Sequence, residues 1–320
     1  MYPHWLRLRL GVAVLALPLI AAAPAKTPEH FPSPDAAVQA LVTAVRSDNT
    51  AQLTALFGKA GMQIVSTGDP AANKRGREKF IAAYETKHEI DTKGTTATLS
   101  VGTDAWPFPI PLMHTKQGWS FNVAAGANEI LTRRIGANEL YVQQVVLAYV
   151  DAQNEYVKSL HDGLKLHVYA QHLLSSPGKQ DGLYWPTEEG QPESPLGPLV
   201  AEARAAGYEP GKHATPEPFH GYFFHILTAQ GPHAPGGAYS YMANGQMLGG
   251  FALVAWPAHW NNSGVMTFLV NQDGQLYQKN LGPKTAEIAH AMKTFDPDAS
   301  WQKIGAPAPL PGEATEGSGG

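Results

Sequence analysis

The sequence predicts an α+β fold with a mostly antiparallel sheet, and three observations carry that expectation. Apolar residues recur at helical spacing at Val38, Leu41, Val42 and Val45, and again at Val142, Val145, Val146 and Tyr149. Strict two-residue alternation marks Trp119, Phe121 and Val123, and later Tyr222, Phe224 and Ile226. Asn244-Gly245 and Asp273-Gly274 each lie between β-prone runs, and both dipeptides suit the left-handed backbone of a tight hairpin turn.

Element by element, Ser33 caps a first helix with Pro34 at its first position and Asp35 in its first turn. Asn49 and Gln52 resemble a capping box for a second helix, which carries Leu53, Leu56 and Phe57 and stops at Gly58. A third helix is expected over 75–88, followed by a strand over 95–101. In Trp106-Pro-Phe-Pro-Ile-Pro-Leu-Met-His114 the alternating prolines strip N–H donors from one edge only. That pattern predicts a protected edge strand pairing with 118–123; polyproline II is the competing form. The block 126–174 reads as helical, with Asn138 capping its long helix, an interruption at Asp162-Gly163, and helix or turn resuming through Leu174. A polar Gly/Pro-rich loop over 178–198 and a short helix at 196–206 follow. Strands are expected over 220–228, 238–243, 246–255, 265–271 and 275–279, and a closing helix over 284–293.

The expected organisation is a signal peptide over 1–25, a linker over 26–34, an N-terminal α+β domain over 35–125, a C-terminal α+β domain over 126–303 and a disordered tail over 304–320. Arg7 and Arg9, the apolar run Leu10 to Ile20, and Ala23-Pro24-Ala25 form the export signal, and the apolar run is too short to span a membrane. The protein is therefore expected in the periplasm or outside the cell, with no transmembrane helix in its mature form. The formal net charge of −4 argues against nucleic acid as a partner. The chain has no cysteine, which excludes disulfides, thiol catalysis and cysteine-held metals or clusters.

Several stretches carry a family resemblance. Ser176-Pro-Gly-Lys-Gln-Asp-Gly-Leu-Tyr-Trp-Pro186, Gly221-Tyr-Phe-Phe-His-Ile-Leu-Thr-Ala-Gln-Gly231 and Gly249-Gly-Phe-Ala-Leu-Val-Ala-Trp-Pro257 resemble a bacterial exported family known as domain of unknown function 2950. Gly264 to Lys279 and Leu281-Gly-Pro283 extend the likeness, which runs from about residue 30 to 303. His259-Trp260-Asn261 departs from the Glu-Tyr-Gly-like residues expected there. The resemblance implies no activity. At the level of pattern alone, the N-terminal domain resembles the cone-shaped nuclear-transport-factor-2-like fold, and the C-terminal one resembles a pilin head.

No phosphate loop, dinucleotide fingerprint, nucleophile elbow or zinc-protease motif is present, so no cofactor and no metal are expected. Among thirteen histidines, His161, His167 and His172 are spaced too far apart on one helix to share an ion. His220 and His225 are expected on opposite faces of one strand. With His233 and Asp273 they are the candidates for acid–base chemistry. Glu188, Glu189 and Glu193 stand near Tyr184 and Trp185, a combination seen at glycan sites, but in a loop where charges commonly face water. Tyr184, Trp185 and Trp260 are the candidate binding residues, while Trp256 and Tyr277 read as core.

The preferred expectation is an exported binding or assembly factor without catalysis, whose partner is another envelope protein. The alternatives are a hydrolase of cell-wall or glycan material acting through histidine and carboxylate, and small-ligand capture in an N-terminal cavity lined by Trp106, Phe108 and Trp119.

Overall fold

Residues 28–212 and 217–305 are described in the computed structural model. The export signal expected over 1–25 and the tail beyond residue 305 lie outside them. The class is α+β, as the patterning implies.

The N-terminal half begins with three capped helices. Ser33 accepts a hydrogen bond from the Ala36 N–H at the start of α1 (Pro34–Arg46), Asn49 does the same for Gln52 in α2 (Thr50–Val65), and Asp69 for Ala72 in α3 (Pro70–Thr86). Each cap satisfies an N–H that the helix itself cannot. Val38, Leu41 and Val42 are almost wholly buried. Each such side chain contributes about 1.5–3 kcal/mol relative to exposure.

At Gly58 the backbone leaves helical geometry (φ 71°, ψ 165°), so Thr50–Val65 is two helices meeting at a kink, with the expected stop between them.

The first sheet contains β1 (His88–Lys93), β2 (Thr96–Val101), β3 (Trp106–Pro107), β4 (Leu112–Thr115) and β5 (Gly118–Phe121), in the order β1-β2-β4-β5 with β3 beside β2. Two expectations need correcting. The third helix ends at Thr86, and residues from His88 already form β1. The proline-rich run is not one edge strand: β3 pairs with β2 alone, whereas β4 is hydrogen-bonded to β5 on one side and to β2 on the other. The prolines instead break the run into two short strands, and the expected partner, β5, does pair. Ahead of α1, Phe31 exchanges backbone hydrogen bonds with Trp119 along the free edge of β5.

Asn122, not Asn138, caps the long helix, α4 (Val123–Tyr156). At 1.5 Å per residue it is about 50 Å long. Val123 at its start belongs to the N-terminal core, and the stretch from Val142 to Tyr156 to the C-terminal one. The helix stops at Tyr156, earlier than expected, and 157–171 carries turns rather than helix, with one at the expected interruption Asp162-Gly163. Buried Gln153 shows why: its side chain bonds both the N–H and the C=O of Ala170, holding an irregular return segment against the helix.

After this return come β6 (His172–Leu174), β7 (Gly182–Tyr184) and α5 (Gly197–Ala205). The C-terminal half then contributes β8 (Tyr222–Leu227), β9 (Ala229–Gln230), β10 (Tyr239–Ser240), β11 (Met242–Ala243), β12 (Gln246–Met247), β13 (Ala252–Pro257), β14 (Thr267–Asn271), β15 (Leu276–Lys279), α6 (Thr285–Ala291), β16 (Thr294–Phe295) and β17 (Gln302–Ile304). The main sheet has the order β17-β15-β14-β13-β8. Asn244 and Gly245, both with positive φ, turn the β11–β12 hairpin. The hairpin is far shorter than the sequence implies, and β13 is a separate central strand. Asp273-Gly274 turns β14 into β15. β13 and β14 are buried at every position, and Phe251, Phe268 and Phe295 are fully enclosed.

The two halves are fastened by the loop that follows β13. The Arg134 guanidinium on α4 donates to the carbonyls of Ile64 (2.6 Å), Val65 and Ser66 (both 3.2 Å) at the end of α2, and to the Asn262 amide oxygen. Asn262 in turn donates to Gln63 O, Asn138 donates to Ser263 O, and Glu139 accepts from the N–H groups of Val265 and Met266. His259 lies over Gly68, where any β-carbon would overlap its ring. The segment His259-Trp260-Asn261 therefore opens a fastening loop between the two cores.

Candidate ligand cavity

Between α1, α2, α3 and strands β2 and β3 lies a half-open cavity of about 830 Å³. Its walls are mostly apolar: Leu41 and Val45 from α1, Leu53, Phe57 and Met62 from α2, Phe80 and Ala83 from α3, Val101 from β2, and Ile130 from α4. The α3 stripe is weak: Tyr84 is its one buried residue.

Trp106 and Phe108 line the cavity, as expected from the sequence. Trp119 does not: it is buried elsewhere, against His114 and the Phe31 backbone. Trp106 is 42% exposed and carries the Arg133 guanidinium over its ring at 5.0 Å. Phe108 is braced edge-on by Phe121 and tilted against Phe80.

Polar residues line it as well, from the α1–α2 turn (Asp48, Thr50), α3 and the residues before it (Thr67, Asn73, Arg77, Lys79) and the turn after β2 (Thr103, Asp104). Arg77 pairs with Asp48 at 3.1 Å. Thr67 and Asn73 satisfy each other, with the Asn73 oxygen accepting from both the N–H and the hydroxyl of Thr67. A mostly apolar cavity of this size with polar groups among its lining has the anatomy of a small-molecule site.

A polar cluster lies just behind the cavity. Asp69 is 1% exposed; besides capping α3 it accepts a 2.6 Å hydrogen bond from the Tyr208 hydroxyl. Arg75 donates to that hydroxyl and to the Ala206 carbonyl, and the His220 N–H donates to it as well. Burial, with Asp69 alongside, pushes the Tyr208 pKa up to about 12. His220 stacks on Tyr141 with ring centroids 3.7 Å apart. Burial, and then Arg75, lower its pKa to about 4, so it is neutral near pH 7.

The remaining candidates are dispersed. His220 sits in the turn before β8 with φ 47°, not in the strand as expected. His225 is exposed on β8, and burial followed by the neighbouring His290 lowers its pKa. His233 reaches Asp296, both oxygens at 3.1 Å, at an exposed surface. Asp273 accepts from Asn271 within its own hairpin. Among the described residues, no hydrogen bond or ring contact joins His220, His225, His233 and Asp273 to one another.

Trp185 is half-buried against Tyr156 and His161, Tyr184 lies under Arg204, and Trp260 is half-buried with its indole N–H on Asn280. Glu188, Glu189 and Glu193 are exposed. His161 is buried on Tyr156, and His167 bonds the Val157 carbonyl.

Sequence reasoning missed Asp69, Tyr208 and Arg134. Asp69 before Pro70 is a readable helix start, but its second partner comes from 139 residues downstream. Among the described residues, no group of three or more histidines, aspartates and glutamates is arranged to hold a metal ion, and no helix is long and apolar enough to cross a membrane.

A family model described as "Protein of unknown function (DUF2950)" matches residues 28–304. No curated protein and no solved structure matches the chain.

Proposed function

The chain belongs to the family DUF2950, and from that premise we propose that it is an exported binding protein whose N-terminal domain captures an apolar small molecule. The observation that carries this reading is the half-open cavity of about 830 Å³ between three helices and the first sheet. A ligand seated there takes the apolar lining and its own apolar surface out of water, worth about 25 cal/mol per Å².

The ring faces of Trp106, Phe108 and Phe80 suit an acyl chain or fused rings. The Arg77–Asp48 pair and the Thr67–Asn73 pair stand where a polar end would emerge.

The test is titration with the apolar fluorophore N-phenyl-1-naphthylamine. Saturable binding is expected, weakened at least tenfold by Ala83→Trp, which fills the cavity, with an unchanged thermal midpoint. Ala203→Trp, in the other half of the molecule, controls for binding elsewhere. Probe binding that survives Ala83→Trp but is lost in Ala203→Trp would overturn the reading, as would no binding at all. Export has its own check: N-terminal sequencing of the protein from its native cell should begin at Lys26, and recovery of the intact Met1 terminus would overturn it.

A further inference from the structure

The edge of the C-terminal sheet contains a gap in its hydrogen bonding. β8 pairs with β13 on one side only. In an antiparallel strand, alternate residues point both N–H and C=O to the same edge. Tyr222 faces outward, because its N–H and C=O are both taken by Phe219, at 3.1 and 2.9 Å. Thr228 also faces outward: its N–H goes to Lys293 O and its C=O accepts from Tyr241 N. The residues between them in that phase are Phe224 and Ile226. Among the described residues, no hydrogen bond reaches their outward N–H or C=O groups. The edge is thus closed at both ends and open over two residues in the middle.

A second cavity, of about 410 Å³, borders this window. Its walls include Phe224, Leu253, Leu173, Leu174, Leu199 and Val200. Three tyrosines also line it, but their hydroxyls are engaged by Ala252 O, Asp69 and Met266 O, so they turn ring faces rather than donors to the space.

We propose that this is a peptide-binding site: an extended segment of a partner protein adds a short strand beside β8, bonds Phe224 and Ile226 through its backbone, and places one large apolar side chain in the cavity. Backbone groups on alternate residues call for a strand, and the adjoining apolar cavity calls for a side chain at the matching position. A second copy of this chain fits poorly. A window two residues long is too short to carry the ~800 Å² per partner of a stable interface, and antiparallel β8–β8 pairing would bring no free side chain into the cavity. The site is separate from the N-terminal cavity and does not depend on it.

The experiment is selection from a library of heptapeptides with Leu, Ile, Phe or Met fixed at the centre, followed by amide NMR of the full chain with the best binder. Micromolar binding is expected, with slowed exchange at the Phe224 and Ile226 amides. N-methylation of the peptide amides facing β8 should weaken binding at least tenfold. Ile226→Pro removes one outward donor and Ala203→Trp fills the cavity; each should do the same while the thermal midpoint holds. If either variant unfolds, the N-methylated peptide still decides. Selected peptides that bind without moving those two amides would overturn the proposal. So would an empty selection, or a dimer lost in Ile226→Pro.

Discussion

Both halves of the molecule lay helices on an antiparallel sheet, yet they finish differently. In the C-terminal half, β13 and β14 are buried along their whole length, α4 and α6 pack on a core built on Phe251, Phe268 and Phe295, and a cavity of about 410 Å³ is left beside β8. In the N-terminal half the core is smaller, and several of its residues, Leu41, Leu53, Phe57 and Val101 among them, border a half-open cavity of about 830 Å³. An apolar stripe predicts which face of an element turns inward; whether that face meets a neighbour or a space depends on how far off the next element stands.

The sharpest way to break this comparison is to truncate one aromatic in each half and follow urea unfolding. Phe268→Ala should cost about 3–5 kcal/mol, as for other enclosed phenylalanines. Phe80→Ala should cost about 1–2 kcal/mol, since much of its surface already borders open space. Equal losses would mean that the N-terminal half is packed as tightly as the C-terminal one.

The next effect concerns the seam between them. The folded state holds His220 near pKa 4, below the ordinary histidine value, so the unfolded chain binds the proton more readily. The stability that His220 contributes is therefore complete above about pH 6.5 and is lost as pH falls towards 4, up to about 3 kcal/mol. Urea midpoints measured from pH 7.5 to 4.5 should fall more steeply for the wild type than for His220→Phe; parallel curves would refute the assignment.

Arg134→Met removes a buried donor set and leaves the carbonyls at the end of α2 bare. A loss of about 2 kcal/mol is expected, with hydrogen exchange accelerated in 62–66 and 259–263 ahead of either core. Exchange that rises uniformly would show that the loop does not join the halves. The smallest expected effect is Asn49→Ala, about 1 kcal/mol for a lost helix cap, read as a small drop in thermal midpoint confined to the N-terminal half.

Much of the local architecture was legible. The caps at Ser33 and Asn49, the stripe from Val38 to Val45, the alternation in β8 and the hairpin at Asp273-Gly274 are short-range physics: a cap needs its own next three residues, and a hairpin its own turn. Legibility failed where a distant partner decided. Nothing near Asn138 says that α4 began fifteen residues earlier, because its amide is used by Ser263. The prolines of 106–114 resemble one edge strand until the run splits and β2 takes the far side of β4.

The candidate histidines show the same divide. Their residue type advertises proton chemistry, but only the fold could reveal that His220 is stacked and neutral, that His225 faces His290, and that His233 found Asp296 instead of Asp273. By itself the sequence determined the α+β class, the family, the first two helix starts and the absence of cysteine chemistry, all properties of neighbouring residues or of composition. The tertiary structure alone decided the N-terminal cavity, the loop that fastens the halves and the open window on β8. Each of these is a matter of which distant surfaces meet and which are left apart, and no local preference encodes that distance.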